Sequence, residues 1–298
     1  DAPALNYGPQ EVANLIAETF EPGLIVLVVY GFQPSASTQN MTSAGQTARA
    51  IKELMPKAKI MMTGTHPAAL PERTLREEAI DYVCSGEGPQ AINVAADYCK
   101  WHDRVSPIIM RGENLTDLDD EMPCGAWDLL PMENYRAHNW HCFEHIDQRQ
   151  PYASIHTSLG CPYRCTFCCI NAPFGGSGYR MWSPATVGRE IEYLTSVHGI
   201  QNLKFVDEMF VLNRAHVLGV CEEITRRGLG DWLNIWAYAR VDTVKDEYLD
   251  KLRAAGFRWL ALGIESGSKH VRDGADKALK QEDIIGTVRR IQAAGINV

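Results

Sequence analysis

Two periods alternate in the hydrophobic pattern of the chain. Val12, Leu15, Ile16 and Phe20 recur at helical spacing, and the unbroken apolar run from Leu24 to Tyr30 follows directly, predicting a helix and then a buried strand. Thr47, Ala48, Ile51, Leu54 and Met55 predict a second helix, followed by a strand from Lys59 to Thr63, a helix around Thr74 to Ala79 and a short strand from Asp81 to Cys84. Helices interleaved in this way with short apolar strands predict a parallel sheet covered by helices. The sheet begins without a strand ahead of the first helix, which points to trimming at the amino end.

The pattern dissolves between 106 and 150, where the acidic, Pro-containing stretch from Asn114 to Pro123 lies near Trp127 and Trp140. A stretch of this length without periodicity is uncommon inside one compact domain, so a partly ordered linker is expected there. Alternation then restarts. Strands are predicted at Tyr152 to Thr157, Asn202 to Val206, Asn234 to Tyr238 and Trp259 to Ile264, with helices at Pro184 to His198, Asn213 to Arg227, Asp246 to Ala255 and Glu282 to Ala294. Ile296 to Val298 reads as the start of another strand. Repeated short βα units of this kind predict a TIM-type barrel, here partial, because closure needs more strands. The expected fold class is therefore α/β: a Rossmann-like domain over 1–105, a linker over 106–150, and a carboxyl-terminally incomplete (βα) barrel over 151–298.

At 298 residues the chain has room for about two such domains. A net charge of -8 leaves no basic field for nucleic acid, and the pairs Arg226-Arg227 and Arg289-Arg290 fall on predicted helices, as solvated faces do. No apolar run approaches the roughly 20 residues that span a bilayer. The nine cysteines are odd in number and four of them crowd between 161 and 169, which favours metal binding in a reducing cytosol over extracellular disulfides. The first residue is Asp1 and no signal-peptide pattern follows it, so a trimmed cytoplasmic chain is expected.

Gly160-Cys-Pro-Tyr-Arg-Cys165-Thr-Phe-Cys168-Cys169 places thiols at spacings of four and three just past a predicted strand. Thiolates are soft ligands, and residue type alone leaves zinc, copper(I) and iron-sulfur clusters open. Zinc needs a fourth ligand; Cys169 is adjacent to Cys168 and poorly placed to converge with it, and no second Cys-x-x-Cys or His pair stands at zinc-finger spacing.

The Cys-x3-Cys-x2-Cys spacing, with aromatic Phe167 before the last cysteine and a position after the first barrel strand, resembles the signature of the radical S-adenosylmethionine (SAM) superfamily. The resemblance implies that Cys161, Cys165 and Cys168 bind three irons of a 4Fe-4S cluster, leaving the fourth iron open to the amino and carboxylate groups of SAM. It also implies SAM contacts from Phe167 and from the strand ends: Asp207 and Glu208 after the second barrel strand, Arg240 after the third, as a bidentate partner of the SAM carboxylate, and Glu265 or Ser266 after the fourth. Taken singly these have plainer readings, Asp207 as a helix cap, Arg240 in a surface ion pair and Glu265 solvated. Cys169 is expected to pack against the loop.

The amino-terminal half, with Thr63-Gly-Thr-His66 after one strand and Ser85-Gly-Glu-Gly88 after the next, resembles the cobalamin-binding Rossmann domain that precedes many radical SAM barrels. Gly64, Gly86 and Gly88 would let a large ligand approach the backbone at strand ends, with His66 near its tail. The Asp-x-His-x-x-Gly motif that supplies a cobalt-ligating histidine elsewhere does not occur. Together the two resemblances imply a cobalamin-dependent methyltransferase acting on an unactivated carbon or phosphorus centre. Its cofactors would be a 4Fe-4S cluster, SAM and cobalamin; its partners, a small-molecule or biosynthetic-intermediate substrate and an electron donor such as flavodoxin or ferredoxin. Ring formation or rearrangement by the same two domains is one alternative. A non-catalytic metal- or cobalamin-binding module is another.

Overall fold

A computed structural model describes residues 1–31, 36–101, 107–143, 145–277 and 281–298. The chain divides into two compact units, one of Asp1–Leu115 with Cys168–Ser177 and one of Thr116–Phe167 with Gly178–Val298. In the first, α1 (Pro9–Thr19), β1 (Ile25–Val28), α2 (Ala36–Leu54), β2 (Ile60–Thr63), α3 (Thr65–Ala69), α4 (Pro71–Glu77), β3 (Tyr82–Cys84), α5 (Gly88–Trp101) and β4 (Ile108–Met110) follow in order. The four strands are parallel in the order β1-β2-β3-β4.

Period-two alternation assigns the strand side chains to two faces. Ile25, Ile60, Met62 and Val83 pack with Ala13, Met41, Ala48 and Ile51 from α1 and α2. Met61, Tyr82, Cys84 and Met110 form a second cluster with Ala91 and Ala95 of α5. Both sheet faces are covered, as a parallel sheet requires.

The second unit opens with α6 (Leu118–Glu121) and 3-10 turns, then β5 (Tyr152–Ile155), the short antiparallel pair β6 (Ser158–Leu159) and β7 (Arg180–Met181), α7 (Pro184–His198), β8 (Asn202–Phe205) and α8 (Arg214–Arg226). β9 (Asn234–Ala239), α9 (Asp246–Ala254), β10 (Phe257–Leu262), α10 (Lys269–Gly274) and α11 (Gln281–Ala293) complete it. β5, β8, β9 and β10 are parallel neighbours in chain order, the arrangement of successive barrel strands. Ile296 to Val298 contributes a parallel bridge from Asn297 to Trp259. Phe205, Phe210 and Phe257 pack with ring centroids 4.9 to 5.3 Å apart at the centre of the core. α7 starts and stops where the sequence signals it. Ser183 caps α7 by accepting from the Thr186 amide, Pro184 occupies its first position, and Gly199 ends it in the left-handed region.

Within the stretch expected as a linker over 106–150, the described residues 107–143 and 145–150 are divided between the two units. Ile108–Met110 is the fourth strand of the first sheet, too short for its periodicity to register in the sequence. From Thr116 onward the stretch packs within the second unit. Asn202 and Asn234, at the amino ends of β8 and β9, donate to the carbonyls of Gln148 (2.7 Å) and His141 (3.0 Å), and His141 Nε2 donates to the Asn234 carbonyl (2.7 Å). Trp127 donates to Glu190, and Trp182 to the carbonyl of Met122. Side-chain amides and indoles, rather than a regular ladder, satisfy this backbone. Among the described residues no helix is long and apolar enough to cross a membrane.

Candidate functional site

The cysteine motif lies between β6 and β7. Cys161 is buried, Cys165 half-buried, and Cys168 and Cys169 exposed. Among the described residues no three His, Cys, Asp or Glu side chains are gathered closely enough to hold a metal ion. The fit to an iron-sulfur cluster therefore rests on the donor set: soft thiols on one loop, with a guanidinium beside one of them. Phe167 is exposed.

Behind the loop, Asp207 is fully buried and committed to the protein. It accepts from the Thr157 amide, the Thr157 hydroxyl and the Ser158 hydroxyl, each at 2.6 Å. The Thr157 hydroxyl, having given its proton to Asp207, accepts from His216 Nε2 at 2.9 Å. Burial holds the His216 imidazole below its ordinary pKa, with the Asp207 charge opposing. These bonds anchor Thr157 and Ser158, the segment that leads into the cysteine loop. Glu208 is nearer the motif, accepting from the Gly160 amide at 3.1 Å. Burial pushes its carboxyl up to about 7, and the neighbouring Asp207 charge adds to the effect.

Arg240 directly follows β9 and is almost fully buried. Its Nε and Nη2 donate to the two oxygens of Asp242 (2.9 and 3.2 Å), its guanidinium lies 4.0 Å over the Tyr163 ring, and Nη1 points at Cys165 Sγ from 4.0 Å. The residue thus stands at the cysteine loop with one edge of its guanidinium occupied by Asp242. Glu265, in the left-handed region at φ 66, pairs with the buried Lys277 ammonium at 2.6 Å. Ser266 accepts from the Ser268 amide through its hydroxyl and from Arg272 through its carbonyl. These two residues build the turn after β10. Asp242, Tyr163, Thr157 and Lys277 were not singled out from the sequence; only Asp242, two residues past Arg240, carried a local signal.

In the first unit Gly64 follows β2 with φ +132, and a Cβ there would stand 2.1 Å from the Val29 carbonyl. His66 bonds Thr38 through Nδ1 (3.0 Å), and its amide donates to Ser37 Oγ (2.9 Å). Burial, then the Arg73 charge, lower its pKa. Gly86 follows β3, where a Cβ would meet the Gly112 carbonyl at 2.4 Å, and Gly88 opens α5 beside Thr63. A cavity of about 390 Å³ lies at the carboxyl ends of β3 and β4, lined by Ser85, Gly86, Arg111, Gly112, Asn114 and Phe174. Asn114 Nδ2 donates to the Phe174 carbonyl at 3.0 Å on its rim. Strand carboxyl ends are where open α/β sheets take their ligands. Gly86 lines this cavity, whereas Gly64, His66 and Gly88 are not among its walls.

Comparison with known proteins matches residues 155–298 to the radical SAM superfamily and residues 4–96 to the B12 binding domain. An uncharacterized methyltransferase of Pyrococcus horikoshii is 27% identical over 303 residues, covering 96% of this chain and 61% of that protein. An anaerobic magnesium-protoporphyrin IX monomethyl ester cyclase of Cereibacter sphaeroides is 26% identical over 279 residues, covering 88% of this chain and 44% of that protein. The chain spans less than two thirds of either relative. The radical S-adenosylmethionine methyltransferase TsrM from Kitasatospora setae, solved with tryptophan and a SAM analogue, superposes with a TM-score of 0.72 at 20% identity over 96% of this chain and 58% of that one. At that identity the likeness establishes the fold.

Proposed function

As this chain belongs to the radical SAM enzymes that carry an amino-terminal B12-binding domain, we propose that it is part of a cobalamin-dependent methyltransferase. The observation that carries the reading is the joining, in one chain, of the three-thiol loop past β5 to a B12-binding match ahead of it. The methyltransferase relative that aligns over 96% of this chain supports it. Cys161, Cys165 and Cys168 would hold a 4Fe-4S cluster, which would supply the electron for reductive cleavage of SAM, and cobalamin would supply a methyl carrier. Glu208 and Arg240 border the loop that presents the thiols, and the cavity at Gly86 and Arg111 offers the first domain's sheet edge to a ligand.

The same reading takes a small-molecule or biosynthetic-intermediate substrate, a one-electron donor of the flavodoxin or ferredoxin class, and a reducing cytoplasmic setting that keeps the thiols available. Likeness to the cyclase favours a second reading, radical chemistry without methyl transfer. Anaerobic reconstitution of the full-length protein with iron, sulfide and cobalamin, followed by SAM and a one-electron reductant such as reduced flavodoxin, separates the two. Formation of S-adenosylhomocysteine together with 5'-deoxyadenosine is expected. Release of 5'-deoxyadenosine alone would sink methyl transfer and leave the cyclase-like chemistry.

A further inference from the structure

We propose that Arg240 serves the Cys165 thiolate, held in place for that role by Asp242, and sets the reduction potential of the cluster rather than clamping SAM. The proposal rests on the reading of the three cysteines as cluster ligands.

The geometry leaves Arg240 little freedom. Its backbone is locked by a reciprocal pair with Thr243, the hydroxyl lying 3.2 Å from the Arg240 amide and donating to its carbonyl at 3.0 Å. The side-chain fork is closed on Asp242, and one face of the guanidinium is covered by Tyr163. A guanidinium has five donors in a fixed plane, so with Nε and Nη2 engaged by a carboxylate, the direction of Nη1 is determined by that pairing. Nη1 faces Cys165 Sγ at 4.0 Å, within reach of a long N–H···S contact. A SAM carboxylate bound in the bidentate manner expected from the sequence would have to displace Asp242 from a pair of charge-assisted bonds.

The electrostatics give this contact a consequence. A cluster gains one negative charge on reduction, and a hydrogen-bond donor or positive charge at a ligating sulfur stabilises the reduced form, raising the potential. Arg240 is 5% exposed, so solvent screens its charge weakly. Asp242 offsets part of that charge and fixes its direction. Tyr163, two residues before Cys165 in the motif, tethers the loop to the same guanidinium.

The test uses full-length protein, anaerobically reconstituted, as wild type, Arg240→Gln, Arg240→Lys and Asp242→Asn. The cluster's midpoint potential is read by spin resonance in a mediator-equilibrated redox titration, with SAM affinity read from the change in the same signal. Arg240→Gln is expected to make the potential more negative while SAM affinity stays within about twofold, and Arg240→Lys to recover part of the shift. Asp242→Asn, which removes a negative charge and keeps the guanidinium, is expected to move the potential the other way. That variant decides the matter if Arg240→Gln fails to load a cluster. An unchanged potential in a loaded variant, or a SAM affinity weakened about tenfold or more at constant potential, overturns the proposal and returns Arg240 to SAM. Wild type that takes up no cluster overturns the cysteine reading itself, and the pairing with it.

Discussion

Thr157 gives Asp207 two hydrogen bonds of 2.6 Å, one from its amide and one from its hydroxyl, and so ties the turn after β5 to the carboxyl end of β8. The anchored turn leads through Ser158 and Leu159 into Gly160 and the first cysteine. A fully buried carboxylate with three short donors is costly to remove, since each donor is then left buried without its partner. Asp207→Ala is expected to destabilise the second unit by about 3 kcal/mol, read as a lowered urea midpoint, with Asp207→Asn intermediate. An effect under about 0.5 kcal/mol would show that the turn holds itself.

His141 provides a pH dependence. Burial lowers its pKa to about 4, with the nearby Lys204 charge contributing and its bond to the Asn234 carbonyl opposing. An imidazole depressed in the folded state binds fewer protons there than in the unfolded chain between about pH 4 and 6.5. The stability it confers is therefore complete above pH 6.5 and lost as pH falls towards 4. His156 and His216, both lowered by burial, act with the same sign. His141 alone should cost the second unit about 3 kcal/mol across that window, and His141→Gln should flatten the profile of unfolding free energy against pH.

Gly64 tests the first unit. With φ +132 and the Val29 carbonyl 2.1 Å from where a Cβ would stand, Gly64→Ala combines backbone strain with a steric clash. A loss of about 3 kcal/mol is expected in thermal or urea unfolding of the first unit, with cobalamin affinity falling alongside. Gly23→Ala, with open space around it, is the control and should change little.

Metal content tests the thiols. Cys165→Ala is expected to lose a cluster of about four irons per chain after anaerobic reconstitution, whereas Cys169→Ala is expected to retain it. Equal iron in both variants would remove Cys165 from the ligand set.

Much of the fold was legible because periodicity survives folding when both faces of an element meet fixed neighbours. The strands Ile25–Val28 and Asn202–Phe205 lie inside the runs Leu24 to Tyr30 and Asn202 to Val206 that the sequence predicted, and Ser183, Pro184 and Gly199 mark a helix by local chemistry alone. Ile108–Met110 escaped notice because three residues carry no measurable period, and α5 because its buried side chains are only alanines. The stretch from 116 to 150 read as a linker since its order comes from Asn202, Asn234 and Glu190, far away in the chain.

For the site, the sequence by itself determined which chemistry is available: three thiols at fixed spacing on one loop, glycines at strand ends, and charged residues where strands stop. Those are properties of residue type and separation along the chain. Tertiary structure alone decided which charges remain available to a ligand. Asp207 is consumed by Thr157 and Ser158, Glu265 by Lys277, and the Arg240 fork by Asp242, while one Arg240 nitrogen faces Cys165. A buried charge must find its partner in three dimensions, and most of these partners lie 12 to 75 residues away in the chain.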